Sequence, residues 1–234
     1  MLPESQLMSM SLTQYQSFLN ENKALAGGNP QTQLVKNVGY KISQAVEKYM
    51  HDNGQSKRIK GFEWEFNVVD DPTVNAWCMP GGKVVFYTGI LPITKDERGI
   101  AVVMGHEIAH AVARHGNERM SQALVVQAGG IGLQVAMSEK PELTQGLLLQ
   151  SYGVGSQLGM LKFSRTHESE ADKMGLVFMA MAGDDPTEAL QFWQRMAEQG
   201  GQTPPEFLST HPSDDTRIKD IQDFLPEVLK YYKK

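Results

Sequence analysis

The sequence of 234 residues predicts an α+β fold, mostly helical, with a small β-sheet over one central helix. Apolar residues recur at helical spacing over residues 32–51 and 94–121, which is typical of helices with one buried face. Strand-like segments separated by turn residues are confined to residues 62–88. We expect residues 1–60 to form a helical extension that packs on a core domain over residues 61–234, the whole chain forming one unit.

Local sequence patterns predict the individual helices and strands. Two helices and three strands are predicted before the central helix: helices over residues 12–20 and 32–51, and strands over residues 62–69, 75–79 and 83–88. The central helix is predicted over residues 94–121, because Thr94 and Glu97 have the spacing of a capping box and no proline interrupts the stretch. Further helices are predicted over residues 122–160, with a break near Pro141, and over residues 186–199.

The central helix carries His106, Glu107 and His110, which together form an HExxH motif. Positions i and i+4 of a helix lie about 40° apart and one turn along, so both imidazoles can reach one metal ion. Glu107 is offset around the helix, where it can act on a water held at the metal. The alternative interpretation is a pair of core histidines, which would leave a buried glutamate unexplained. The motif therefore predicts a zinc hydrolase.

A catalytic zinc site needs a third protein ligand, and two candidates follow the motif. His115 is about 140° around the same helix from His110, so a continuous helix cannot bring it to the metal, and we expect it at the surface or a helix end. Glu168 and Asp172 share one face of a second helix, with Gly175 on that face to allow close approach. We expect Glu168 to bind zinc and Asp172 to orient a ligating histidine, although such an acidic run is often only a solvated helix face.

With these residues in place, the sequence resembles the HtpX-like and CAAX-prenyl-protease-like zinc metallopeptidases, which are gluzincins. The segments that carry the resemblance are Asn75-Ala76-Trp77, Pro80-Gly81-Gly82, His106 to His110, Arg165 to Asp172, and Thr210-His211-Pro212 with Arg217. The resemblance implies a gluzincin fold for residues 61–234, one Zn²⁺ bound by His106, His110 and Glu168, and Glu107 as general base. It also implies endopeptidase activity on proteins.

The same resemblance gives two further segments a role. Asn75, Ala76 and Trp77 are expected at a sheet edge that pairs with extended substrate, the alternative being an ordinary edge strand. His211 is expected near the zinc, where it either stabilises the oxyanion or binds the metal and holds the enzyme latent. Arg217 can instead pair with an acid such as Asp214, three residues before it.

Composition limits the partners of the protein. The net charge of −5 comes without clustered basic residues, so we expect no nucleic acid partner. The single cysteine, Cys78, excludes a Cys-based zinc site. No segment has the roughly 18 apolar residues of a transmembrane helix.

These features favour the soluble cell-envelope branch of the family. We expect a periplasmic location, with membrane association through a lipoprotein leader removed from this sequence and a cytoplasmic location as the alternative. Unfolded or misassembled proteins are the expected substrates, in envelope quality control. The main alternative function is a latent, zinc-bound chaperone-like protein that binds clients and has little protease activity.

Overall fold

The computed structural model describes residues 3–199, 205–211 and 215–233. The helices in these ranges are α1 (Glu4–Glu21), α2 (Pro30–Asp52), α3 (Leu91–Thr94), α4 (Glu97–Ala113), α5 (His115–Ala136), α6 (Glu142–Met181), α7 (Glu188–Glu198), α8 (Glu206–Thr210) and α9 (Asp215–Val228). The strands are β1 (Glu65–Val69), β2 (Ala76–Met79) and β3 (Lys83–Tyr87). The predicted α+β fold, mostly helical with a small sheet, is confirmed.

The sheet has the order β1-β3-β2, with β1 parallel and β2 antiparallel to β3. Because side chains alternate along a strand, its two faces differ. Phe66, Val84 and Phe86 join the main core with the helices. Val85, on the opposite face, packs in a smaller cluster with Tyr15 of α1. The sheet is therefore covered on both faces, and β2 lies at its edge beside α4.

α4 is the buried centre of the fold, and it differs from the prediction at both ends. Its N-cap is Asp96 rather than Thr94, because Asp96 Oδ1 accepts hydrogen bonds from the backbone of Arg98 and Gly99. The predicted continuous helix over residues 94–121 is wrong at residue 114, since Arg114 adopts a left-handed conformation with φ +69° and ends α4 there, and residues 115–121 belong to α5.

α4 and α6 cross at two glycines that lie back to back. A Cβ atom placed on Gly175 would lie 2.8 Å from the backbone of Gly105 and His106, and one on Gly105 would lie 2.6 Å from the carbonyl oxygen of Gly175. Only glycine permits this approach of the two backbones. The expectation that Gly175 allows close approach to the HExxH helix is confirmed.

The N-terminal helices pack against the rest of the chain. Val35, Ile42 and Val46 of α2 belong to the same core cluster as the residues of α4. α1 lies on the outer face of the sheet, and its first turn reaches Arg114 through an ion pair from Glu4. The division of the chain at residue 60 stays a prediction.

α5 and the first half of α6 form a hairpin that exposes many large apolar side chains. Val125, Val135 and Leu143 are 71, 68 and 77% exposed. Within the hairpin, the hydroxyl of Tyr152 donates a hydrogen bond to the carbonyl of Val126. Among the described residues, no helix is long and apolar enough to cross a membrane.

Candidate metal centre

Four side chains from three elements bring one donor atom each to a common point. His106 and His110 come from consecutive turns of α4, Glu168 from α6, and His211 from the residue that follows α8. Their donor atoms all lie within 4.8 Å of one another. His106, Glu168 and His211 are buried, and only about a tenth of the His110 side chain is exposed.

The spacing of the donor atoms fits a tetrahedral zinc ion. Zinc ligands lie about 2.0–2.1 Å from the ion, which puts two tetrahedral donors about 3.3 Å apart. His106 Nε2 lies 3.1 Å from both His110 Nε2 and His211 Nδ1. The carboxylate of Glu168 lies 3.3 Å from His110 Nε2, 3.4 Å from His106 Nε2 and 2.9 Å from His211 Nδ1.

Glu107 points into the same space. It is 4% exposed, and its Oε1 has no hydrogen-bond partner among the described residues, although it lies 3.4 Å from His211 Nε2. Glu168 Oε1 is also buried without a hydrogen bond. Buried carboxylate oxygens without donors are costly unless a cation or a water completes them. This donor set and its unsatisfied oxygens therefore fit a zinc ion.

Asp172 and Arg217 contact the candidate ligands on the side away from the common point. Asp172 Oδ1 lies 2.9 Å from His106 Nδ1 and accepts a 2.7 Å hydrogen bond from Arg217 Nη2. The guanidinium of Arg217 stacks on the ring of Trp193, with Cζ 3.4 Å from its centroid, and also lies 3.4 Å from Glu168. Arg217 thus contacts the acids of α6. Asp214, its suggested partner, lies outside the described residues.

His115 is placed differently from its expected position at the surface. It is 2% exposed, and its Nδ1 lies 2.8 Å from His110 Nδ1. His115 does lie at a helix end, as the first residue of α5, but the expected surface position is wrong: Arg114 breaks the helix, so the 100° rotation per residue that excluded His115 does not continue beyond α4. Arginine is not a residue that favours a left-handed cap, so its identity does not signal this break.

The charges of the site shift the pKa values of its members. Burial lowers the pKa of His106, but its contacts with Asp172 and Glu168 outweigh burial and raise that pKa to about 9. Burial raises the pKa of Glu168, but the three histidines around it lower that pKa far more.

For the other two residues, His110 and Glu107, burial sets the direction of the pKa shift. Burial lowers the pKa of His110 to about 3, so this imidazole is neutral and its lone pair is available to a metal. Burial also raises the pKa of Glu107, which suits a general base.

The suggested substrate strand lies next to this centre. Ala76 and Trp77 are in the edge strand β2, and Asn75 directly precedes it. The side chain of Asn75 donates to Glu206 of α8, while Trp77 packs edge-on against Phe18 of α1. A cavity of about 170 Å³ connects Cys78 of this strand with Glu107, His110 and His211.

Comparison with known proteins decides the family. The sequence matches Peptidase family M48 over residues 40–225. This chain belongs to Peptidase family M48. It is 34% identical to the mitochondrial metalloendopeptidase OMA1 of Saccharomyces cerevisiae, over 91% of this chain and 61% of that protein. It is 38% identical to OMA1 of Schizosaccharomyces pombe, over 80% of this chain and 52% of that protein. The predicted family and its class, a metallopeptidase, are confirmed.

The relatives also correct the expected location. The beta-barrel assembly-enhancing protease of Yersinia pestis matches at 30% identity over 68% of this chain, a weaker likeness than that to the mitochondrial proteins. The expectation of a bacterial periplasm or cell envelope is therefore wrong, and the lipoprotein leader expected with it is not shown. The chain spans between 34 and 61% of the length of these three curated relatives.

Proposed function

We propose that this chain is a zinc-dependent metalloendopeptidase that hydrolyses peptide bonds in proteins. The observation that carries the proposal is the convergence of four buried donor atoms on one point beside the carboxylate of Glu107. The family membership and the names of the relatives, which are metalloendopeptidases, support the same reaction. Its substrates would be unfolded or misassembled proteins.

One zinc ion per chain would be held by His106, His110 and Glu168. When bound, zinc would supply a Lewis acid that activates water and polarises a peptide carbonyl. Asp172 would accept the outer N–H of His106 and so fix the tautomer in which Nε2 faces the metal. Arg217 would in turn hold Asp172 in place.

Glu107 would act as the general base and then as the acid. Its buried carboxylate accepts a proton from the attacking water and returns it to the leaving amine. Burial raises its pKa, which makes it a stronger base than an exposed glutamate. The scissile peptide would extend along the edge strand at Asn75, Ala76 and Trp77, where main-chain hydrogen bonds tolerate many sequences.

His211 would hold this enzyme in a latent state. Its Nδ1 lies among the other donor atoms, in the position a water would need, and its Nε2 faces Glu107. This orientation supports the ligand role more than the oxyanion role, although His211 can serve the second once it leaves the metal.

The test compares the zinc-loaded wild type with Glu107→Gln and His211→Ala. We expect one zinc per chain in wild type and in Glu107→Gln, slow residual cleavage of casein by the latent wild type, and a further loss of at least about 100-fold in Glu107→Gln, because the base is removed without changing its shape. His211→Ala should cleave casein faster than wild type, since it frees the fourth position. Metal content and casein cleavage measure these outcomes.

The four-donor arrangement also favours the alternative, a latent zinc protein that binds clients. A closed set of four protein ligands is typical of structural zinc. That function would be supported by stoichiometric zinc in all three proteins, no cleavage in any of them, and binding of unfolded casein. Cleavage by His211→Ala alone would instead establish a protease with a histidine lock.

A further inference from the structure

The two histidines of the HExxH motif are supported in different ways. The outer nitrogen of His106 meets a carboxylate directly, since its Nδ1 lies 2.9 Å from Asp172. The outer nitrogen of His110 meets another imidazole, since its Nδ1 lies 2.8 Å from Nδ1 of His115. Ligating histidines usually donate this N–H to a carboxylate, a carbonyl or water. The contact of His110 with the imidazole of His115 is therefore unlike the usual support of a zinc ligand.

The backbone places His115 there through the break after α4. In a continuous helix, a residue five positions after His110 would lie about 140° away around the axis. Arg114 takes φ +69°, ends α4 and lets α5 start in a new direction at His115. The imidazole of His115 then turns back towards His110, and its ring is 3% exposed.

The protons of this contact can be assigned from the chemistry of the ligand. A neutral imidazole that offers Nε2 to a metal carries its proton on Nδ1. His110 Nδ1–H must then donate to His115 Nδ1, which leaves the proton of neutral His115 on Nε2. That Nε2 lies 3.2 Å from Glu170 Oε2, which can only accept when ionised. Each donor in the series thus meets an acceptor.

A second contact packs on the face of the His115 ring and takes no part in the series of hydrogen bonds. His167 of α6 stacks on it, with ring centroids 4.0 Å apart and an interplanar angle of 15°. His167 is held in turn by Glu118, whose Oε2 lies 3.0 Å from Nε2 of His167. His167 and Glu170 both belong to α6, so this helix covers the face of the His115 ring and also contacts its Nε2.

We propose that His115 is a positioning residue for the zinc ligand His110, acting through the series His110–His115–Glu170. The inference rests on the proposed zinc site. His115 and Glu170 touch neither the substrate nor the metal in this assignment; they set the tautomer and ring orientation of His110. Outer partners of this kind typically change metal affinity by about 10–100-fold when removed.

The experiment measures the affinity for Zn²⁺ alone, by competition with a chromogenic chelator, in wild type and four variants. His115→Phe keeps a ring on His167 but cannot accept a hydrogen bond, so we expect about 10–100-fold weaker zinc binding. His115→Asn puts an amide oxygen near the position of Nδ1 and should bind within about threefold of wild type. His115→Gln reaches past that position and should bind as weakly as His115→Phe. His167→Gln, the packing control, keeps a donor for Glu118 and should bind like wild type.

The outcomes separate this inference from the proposed zinc site. A wild type that binds no stoichiometric zinc contradicts the zinc site itself. If wild type binds zinc tightly and His115→Phe and His115→Gln bind it with the same affinity as wild type, only the role of His115 is overturned. A loss of zinc affinity in His167→Gln as large as that in His115→Phe would also overturn it, because it would show that packing is responsible. Thermal melts of the metal-free proteins check folding. Should His115→Phe fail to fold, the comparison of His115→Asn with His115→Gln decides the question.

Discussion

Asp184 is a buried carboxylate outside the metal centre, in the turn after α6. It is 8% exposed, and its Oδ2 accepts no hydrogen bond among the described residues. Burial raises the pKa of Asp184 from its ordinary 3.8 to about 6; Lys41 opposes this rise, and the nearby Glu97 adds to it. The folded chain therefore holds this proton more tightly than the unfolded chain does.

This shift gives a pH-dependent prediction for Asp184→Asn. Between about pH 4 and pH 6 the folded state binds more protons, so the contribution of Asp184 to stability falls as the pH rises and is most unfavourable above pH 6. The variant should be more stable than wild type by about 1–2 kcal/mol at pH 7.5, after allowing for solvent screening, and equal to it near pH 4.

Urea unfolding of Asp184→Asn and wild type at several pH values checks the prediction. Comparing the two proteins at each pH cancels the titration of all other groups. A difference in the free energy of unfolding that stays constant from pH 4 to pH 7.5 would contradict it.

Single residues of the metal centre could be predicted to different degrees. Helical spacing indicates the motif residues His106, Glu107 and His110. It also places Glu168 and Asp172 on one face of another helix, but this acidic pair becomes a ligand candidate only because the HExxH motif precedes it. The contacts of His115 depend on a backbone break, and those of Arg217 on a helix 45 residues after Asp172. Helical spacing contains no information on either.

Among the elements, α4 and α6 cross so closely that neither glycine at the crossing leaves room for a side chain. Gly105 and Gly175 permit a backbone approach that positions Glu168 against both histidines of α4. Any side chain at this crossing must push the helices apart, because the atoms it meets are backbone atoms and cannot rotate away.

Gly175→Ala should therefore cost about 1–3 kcal/mol in the free energy of unfolding and weaken zinc binding. Gly159→Ala is the matched control on the same helix, since a Cβ there meets nothing within 4 Å. The control should be neutral or more stable by up to about 1 kcal/mol, because alanine is the better helix former. Denaturant unfolding and zinc titration of both variants check this, and an equal effect of the two substitutions would contradict it.

The element boundaries show where sequence patterns are sufficient. The strands and α2 lie within a few residues of their predicted positions, because alternation, helical stripes and turn residues act locally. The central helix was predicted too long because residues 94–121 contain neither a proline nor a glycine at the break. Arg114 takes its left-handed conformation in the folded chain, where it also pairs with Glu4 of α1.

On the scale of the whole molecule, the candidate metal centre joins elements that are distant in sequence. His106 and His211 are 105 residues apart, and Glu168 comes from a third element between them. A ligand that binds only the folded state stabilises it by mass action. Zinc should therefore contribute to global stability as well as to activity.

Removal of zinc with a chelator should lower the melting temperature by roughly 10 °C, the shift expected when free zinc is at about a thousand times its dissociation constant. Re-addition of Zn²⁺ should restore the melting temperature. Mg²⁺ should not, because it prefers oxygen ligands in an octahedral arrangement. Thermal melts followed by circular dichroism measure the shift, and an unchanged melting temperature after complete metal removal would contradict the proposed site.

The fold class and the meeting of α4 with α6 were predictable on this scale, because both depend on buried helix faces. The sequence does not distinguish the two roles of His211, since a short segment such as α8 has too few residues to show a pattern. Its anchoring is tertiary: the backbone N–H of Phe207 donates to the carbonyl of Val74, next to the edge strand.

His211 belongs to the same chain as the three other donors, so its local concentration at the site does not depend on the protein concentration. A separate inhibitor leaves its enzyme when the mixture is diluted, but a tethered group keeps an effective concentration in the millimolar range or above at any protein concentration. Dilution therefore cannot release such a lock. If His211 holds the proposed enzyme latent, its release requires a molecule that binds the open form better than the closed one, or a force on the segment 205–211.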